Sequence, residues 1–319
     1  MKKWFKRIGY TLLVIFIFIN VVCALQAYHL THFYANVPLH DTVQQGAITK
    51  IGVALFGASV GKSLVADSFN VPHQNIKIKT EDGLMLAGWY ADNANRDDTV
   101  NICKGTVIMF HGHGSCRSGI IKEAEAFYSL GYNVCMIDFR AHGESEGEVC
   151  TIGYVETKDV KAAYDYVVNR GEKNIILYGI SLGAATIMKT ISDYNIQPLK
   201  IILEMPFGTL QNAVEGRVKL MGLPAEPLSA LLTFWGGTEQ GFWAFSHKPE
   251  EYAKKISCPV LLQWGKLDPR VTQQETITIY NNLASAQKKL VEYDNCGHES
   301  LCKKENKKWM QSITQFLVK

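Results

Sequence analysis

The sequence predicts an α/β fold with a mostly parallel central sheet and helices on both faces. Three observations carry that reading. From residue 105 onward, short apolar runs alternate with stretches of helical periodicity, the pattern of a parallel sheet covered on two sides. One strand-to-helix junction reads Gly179-Ile180-Ser181-Leu182-Gly183. Ahead of the series stand four basic residues and a long uncharged apolar run.

The N-terminal run comes first. Lys2, Lys3, Lys6 and Arg7 precede residues 8–25, which carry no charge and only Thr11 and Asn20 as clearly polar members. As a helix this stretch rises about 27 Å, close to the ~30 Å hydrocarbon core of a bilayer. A globular helix of that length would show a polar stripe, and this one does not. Residues 1–27 therefore read as a transmembrane anchor. The basic flank puts the N-terminus in the cytoplasm and the rest of the chain on the extracytoplasmic side. A cleaved signal peptide usually has a shorter apolar stretch, about 7–15 residues. Val22-Cys23-Ala24 still leaves cleavage, and a secreted or periplasmic product, as the alternative. Val22 is too bulky to precede a lipid-modified Cys23.

The four basic residues also explain the overall charge. The 319-residue chain has a formal net charge of +3, but residues 8–319 carry 29 basic against 30 acidic side chains. No basic stripe is left for a nucleic acid. Of eight cysteines, Cys23 sits in the apolar run, Cys135 reads as a buried strand thiol, and Cys116, Cys150, Cys296 and Cys302 fall in or near loops where bridging is possible. They lack the tight spacing of a zinc site, so no metal is expected.

Residues 28–74 form a juxtamembrane segment, helical in part. Within it Gly57-Ala58-Ser59-Val60-Gly61-Lys62-Ser63 imitates a phosphate-binding loop but has three residues between its glycines, where four are required. Period-two alternation over 75–80 and 84–90 around Glu81-Asp82-Gly83 predicts a hairpin, followed by a polar loop over 91–99. Strands are expected at 106–110, 132–138, 174–178, 201–203, 260–264 and 289–293. Helices fall near 119–130, 155–169, 182–193, 272–285 and 304–318. Between Pro206 and Pro249, residues rich in glycine and bulky apolars replace a single crossover helix. This insert, about 206–249, reads as a helical lid over the carboxyl ends of the strands, where chemistry collects in such sheets. The catalytic domain spans 75–319.

Ser181 lies between that strand and that helix, in a turn whose flanking glycines expose the hydroxyl. A serine needs a base. His298, in Cys296-Gly297-His298-Glu299 after the last strand, is the candidate, since His29, His32 and His40 are juxtamembrane, His73 precedes the first strand and His247 ends the insert. The base needs a carboxylate to fix its tautomer. Asp268, after the strand 260–264, supplies it, with Asp294 as rival on the histidine's own loop. The order Ser181, Asp268, His298 suits this architecture. Phe110-His111-Gly112-His113-Gly114 ends another strand, and the backbone N–H groups of His113 and Leu182 are the expected oxyanion donors. Read as metal ligands, His111 and His113 have no carboxylate partner.

These motifs, with Ile137-Asp138-Phe139-Arg140-Ala141-His142-Gly143-Glu144-Ser145 and Gly265-Lys266-Leu267-Asp268, make the chain resemble α/β-hydrolase-fold serine hydrolases. The branch is that of monoacylglycerol lipases and serine aminopeptidases, and the likeness covers about 75–319. Family members usually have glycine where Ala141 stands. The resemblance implies hydrolysis of an ester, thioester or amide through an acyl-enzyme, without cofactor. The apolar insert and the anchor point to a small lipid-like or acyl ester as substrate. An acyltransferase or peptidase using the same triad, or a non-catalytic binding protein that keeps the fold, are the alternatives. The sequence leaves the oligomeric state open.

Overall fold

The computed structural model describes residues 2–37, 47–93 and 103–318. His40 and residues 94–99 of the expected polar loop lie outside the described residues. The N-terminal part comprises helix α1 (Lys2–Thr31), strand β1 (Phe33–Tyr34), helix α2 (Ala47–Phe56) and strand β2 (Val60–Gly61). A hairpin of β3 (Gln74–Lys79) and β4 (Met85–Ala91) follows. The alternating series is β5 (Thr106–Phe110), α3 (Ile121–Ser129), β6 (Asn133–Ile137), α4 (Thr157–Asn169), β7 (Ile175–Ile180), α5 (Leu182–Tyr194) and β8 (Lys200–Glu204). The insert holds α6 (Leu210–Leu220) and α7 (Leu228–Gln240), and the short α8 (Pro249–Tyr252) follows it. The chain then returns through β9 (Val260–Gly265), α9 (Gln273–Asn282), β10 (Lys288–Tyr293), α10 (Leu301–Lys304) and α11 (Asn306–Val318).

Eight strands form one sheet in the order β10-β9-β8-β7-β5-β6-β4-β3. β4 runs antiparallel to β3 and β6, and every other neighbouring pair is parallel. Side chains alternate between faces along a strand, and here both faces are buried. Ile108, Phe110, Leu177 and Leu203 belong to one apolar core. Val107, Met109, Tyr178 and Ile202 belong to the other. From β5 the chain crosses to β6 on one side, and from β7 to β8 on the other. The crevice beyond the ends of β5 and β7 is thus a topological switch point, where such sheets bind ligands.

The N-terminal helix does more than continue the apolar run. Residues 3–18 are exposed, and Lys3–Thr31 is long and apolar enough to cross a membrane. The helix passes the expected end at residue 27 without a break. Cys23, Ala27 and Thr31, four residues apart on one face, are buried. They face α7, where Trp235 Nε1 donates to Asn20 Oδ1 (3.1 Å) and Gln240 Nε2 to Thr31 Oγ1 (3.3 Å). Beyond the helix, the Thr31 carbonyl accepts from Cys150 N (2.8 Å) and Phe33 N donates to the Glu148 carbonyl (2.8 Å). The segment imitating a phosphate loop holds a strand, β2. Lys62 Nζ donates to the Ser145 carbonyl (2.7 Å) and Ser63 Oγ to that of Gly114 (2.6 Å), so both side chains brace the body of the fold. All eight cysteines are free thiols, and Cys116, Cys150, Cys296 and Cys302 are buried.

The stretch 137–145 is a buried brace. Asp138 pairs with Arg117, which also binds Glu144. Arg140 grips Asp159 through Nε (2.9 Å) and Nη2 (2.7 Å) and reaches Asp82 through Nη1 (2.8 Å). Ala141 takes a positive φ of 63°, the conformation glycine adopts without strain. His142 Nε2 accepts from Gly114 N (3.0 Å), which ties the brace to the loop after β5. Breaking a buried ion pair leaves a charge without compensation, at a cost of about 3–5 kcal/mol. Arg140→Met is therefore expected to lower the unfolding free energy by about that amount, measured by denaturant titration; a loss no larger than that of an exposed Lys→Met change would contradict this.

Candidate active site

β7 ends at Ile180 and α5 starts at Leu182, so Ser181 alone makes the turn between them, at φ 50° and ψ −107°. A non-glycine residue there is strained, and strain of this kind concentrates at functional sites. The flanking glycines are needed because the turn is so tight. A Cβ on Gly179 would lie 2.5 Å from the Gly183 carbonyl carbon, and one on Gly183 would lie 2.4 Å from the Phe110 carbonyl oxygen. The Ser181 N–H donates to the Glu204 carbonyl (2.7 Å), which anchors the turn to β8.

Two loops bring the other residues in. His298 Nε2 lies 3.0 Å from Ser181 Oγ, and His298 Nδ1 lies 2.7 Å from Asp268 Oδ2. The Asp268 side chain is fully buried, and its Oδ1 also accepts from the N–H groups of Arg270 (2.8 Å) and Val271 (2.9 Å). A carboxylate bonded on both oxygens is held in one orientation. It fixes the proton on Nδ1 and leaves Nε2 free to accept from the serine. The loops fit because residue 265 is glycine: a Cβ there would stand 2.4 Å from the Cys296 carbonyl oxygen. The rival Asp294 is exposed and bonds Lys266 (2.7 Å) and Lys308 (3.4 Å) instead. The Lys266 hydrogen bond, above all, holds its carboxyl below the usual range.

The loop after β5 completes the floor. His111 Nε2 accepts from Phe139 N (3.1 Å), so this ring holds the loop to the brace. The N–H groups of His113 and Leu182 donate to no protein group among the described residues, and both residues border the cavity at Ser181. The His113 ring is buried against Phe33, at 5.2 Å between centroids. Arg217 Nη2 lies 2.7 Å from His113 Nδ1. A guanidinium can only donate, so Nδ1 accepts and the ring proton sits on Nε2. Burial first, then Arg217, drives the His113 pKa well below its ordinary value, so the ring is neutral.

The cavity holds about 220 Å³. Ser181 and His298 stand on one side, Ile152, Phe207 and Val214 form an apolar wall, and Arg217 and Arg270 supply two guanidinium groups. α6 forms its roof. Gly216 lets that helix lie on the loop after β9, since a Cβ there would sit 2.5 Å from the Arg270 carbonyl oxygen. Sequence reasoning gave neither arginine a role. A signal for Arg217 was present, because it interrupts the stripe Leu210, Val214, Val218 that buries one face of α6.

The chain is similar to known proteins over more than half of its length. A family model described as serine aminopeptidase, S33, matches residues 102–235, a span that includes Ser181. Lysophosphatidylserine lipase ABHD12 of Macaca fascicularis is 24% identical over 218 residues, covering 63% of this chain and 52% of the lipase. The uncharacterized protein YqkD of Bacillus subtilis is 25% identical over 216 residues, covering 66% of this chain and 70% of its own. The chain thus spans about half the length of the lipases it matches. Among solved structures, an esterase of Pyrococcus furiosus superposes with a TM-score of 0.67 at 24% identity, covering 80% of this chain and 95% of the esterase. An acetyl xylan esterase from Paenibacillus superposes with a TM-score of 0.60 at 19% identity, covering 79% and 86%. With the sheet order, these likenesses give the chain an α/β-hydrolase fold, and they make it similar to hydrolases built on that fold.

Proposed function

We propose that this protein hydrolyses a lipid-like or acyl ester through an acyl-enzyme formed on Ser181. The observation that carries the reading is the hydrogen-bonded series Ser181–His298–Asp268, at 3.0 and 2.7 Å, opening on a half-apolar cavity. Ser181 Oγ attacks the carbonyl carbon as its proton passes to His298 Nε2, and Asp268 stabilises the imidazolium that results. The backbone N–H groups of Leu182 and His113 receive the developing oxyanion; loss of one such donor costs about 2.7–4 kcal/mol in other enzymes. His298 then returns the proton to the leaving alcohol, and water, activated by the same ring, releases the acid.

The cavity favours an ester over a peptide. An aminopeptidase must hold a substrate ammonium, which two guanidinium groups repel. The matching family model is described as serine aminopeptidase, but the named activities of the relatives and structural neighbours, lipase and esterase, favour the ester. α1 acts in this reading as an uncleaved single-pass anchor, with the N-terminus cytoplasmic and the catalytic domain extracytoplasmic. Its buried Cys23, Ala27 and Thr31 and the Asn20–Trp235 bond support retention, since cleavage near Ala24 would strip half of that contact. Trp235, Phe234 and Trp243 cluster beside Asn20, an aromatic grouping suited to a bilayer interface.

Turnover of matched hexanoyl esters, thioesters and aminoacyl amides by membrane-extracted protein tests the reading. Ester hydrolysis should dominate, and the intact mass should include residues 1–24. Amide cleavage as fast as ester cleavage, or a mass lacking that segment, would overturn the respective half.

A further inference from the structure

Arg217 carries a charge that no described residue neutralises. Its guanidinium is half-buried on α6, borders the cavity beside Ser181 and donates to the neutral ring of His113. Arg117 and Arg140, the buried arginines of the brace, each hold two carboxylates. Among the described residues Arg217 holds none, and neither does Arg270, whose exposed side chain borders the same cavity. Glu299 also borders the cavity, but it is exposed and pairs with neither arginine. Burial, and then repulsion from Arg270, draws the Arg217 pKa down to about 10. Two like charges held together without a counter-ion leave a place for an anion.

We propose that Arg217 and Arg270 form an anion subsite, and that the preferred substrate is an acyl ester whose alcohol part bears a phosphate or carboxylate. The inference rests on the ester-hydrolase reading above. The acyl chain lies along the apolar wall of Ile152 and Val214. Those two residues also border an apolar seam between α1, α6 and α7, lined by Leu30, Leu232 and Phe242. The chain's apolar end thereby lies near the anchor while the charged end meets the arginines. A guanidinium fork suits both anions.

The hexanoyl monoesters of glycerol, glycerol 3-phosphate and glycerate share one acyl group and one ester bond, and all three are soluble. With wild-type protein, kcat/KM for at least one anionic ester should exceed that for the neutral ester by about tenfold or more, equivalent to about 1.4 kcal/mol. Arg217→Met should bring that ratio to within about twofold of one, and Arg217→Lys should keep part of it. Arg270→Gln, at an exposed position, should also reduce the ratio and covers the case in which the Arg217 variant does not fold. A wild-type ratio of one or below, or equal losses on charged and neutral esters in both Arg217→Met and Arg270→Gln, would overturn the subsite while the hydrolase stands. Failure of the hydrolase itself reads differently: no ester is turned over and Ser181 resists a fluorophosphonate, and both proposals fall together.

Discussion

His298→Ala is expected to lower kcat for ester hydrolysis by about 10⁶-fold, the scale seen when the base of such a triad is removed. The size follows from the lack of a substitute. A serine hydroxyl is a weak nucleophile until its proton has an acceptor within hydrogen-bonding reach. The other rings of the core are committed elsewhere. His111 Nε2 accepts from Phe139 N and His142 Nε2 from Gly114 N. Burial drives the pKa of both down to about 4, and that of His247 to about 3. Such rings are neutral at pH 7, but they are feeble bases. The fold should survive, because His298 sits on a loop and the hydrogen bonds of its ring go to Asp268 and Ser181 of the site itself. An unchanged unfolding transition beside lost turnover, measured on one preparation, is the expected pair of results. Turnover within a hundredfold of wild type would mean that another group takes the proton.

Asp268→Asn should reduce kcat by about 10⁴-fold, because an amide donor facing Nδ1 favours the tautomer that puts the proton on Nε2, where serine needs an acceptor. The geometry makes the test specific. Oδ1 of Asp268 is occupied by two backbone donors, so the amide nitrogen of the variant must turn toward the ring. Asp294→Asn serves as the comparison. Its carboxylate faces lysines on the surface, and turnover should stay within about threefold of wild type, as for other surface changes. Steady-state kinetics on both variants decides between the carboxylates. A large loss in Asp294→Asn with little in Asp268→Asn would reverse the assignment.

Much of this site could be read from local sequence. Strand, turn and helix around Ser181 follow from apolar runs and two glycines, which act over a few residues. The strand at 174–178 extends in the structure through Gly179 and Ile180, because these pair with Leu203 and Glu204 of β8, partners that local pattern does not reveal. Asp268 and His298 were picked by their place after strands, a rule of topology. Their contact depends on Gly265, whose small size matters only once the Cys296 loop lies against it.

Long-range features stayed hidden. The apolar run of α1 announces a membrane helix, but the face carrying Cys23, Ala27 and Thr31 has meaning only against α7, some two hundred residues later. The stretch 137–145 was recognised by likeness to a family. Its physical role, tying Asp138 and Arg140 to Arg117 and Asp159 and His142 to the loop of Gly114, depends on partners distant in sequence. Arg217 leaves a local trace, its break in the apolar stripe of α6, but that trace does not say what the charge meets. An arginine on an amphipathic helix usually means a charge reaching for solvent, and here it borders the cavity.

The central claim is that Ser181 is the nucleophile, activated through His298. Its most direct test is labelling with an alkyl fluorophosphonate, followed by digestion and mass mapping of the adduct. One adduct is predicted, on the peptide that contains Ser181; it should be absent from Ser181→Ala and nearly absent from His298→Ala. An unmodified Ser181 in active wild-type protein, or equal labelling of wild type and Ser181→Ala, would contradict the account.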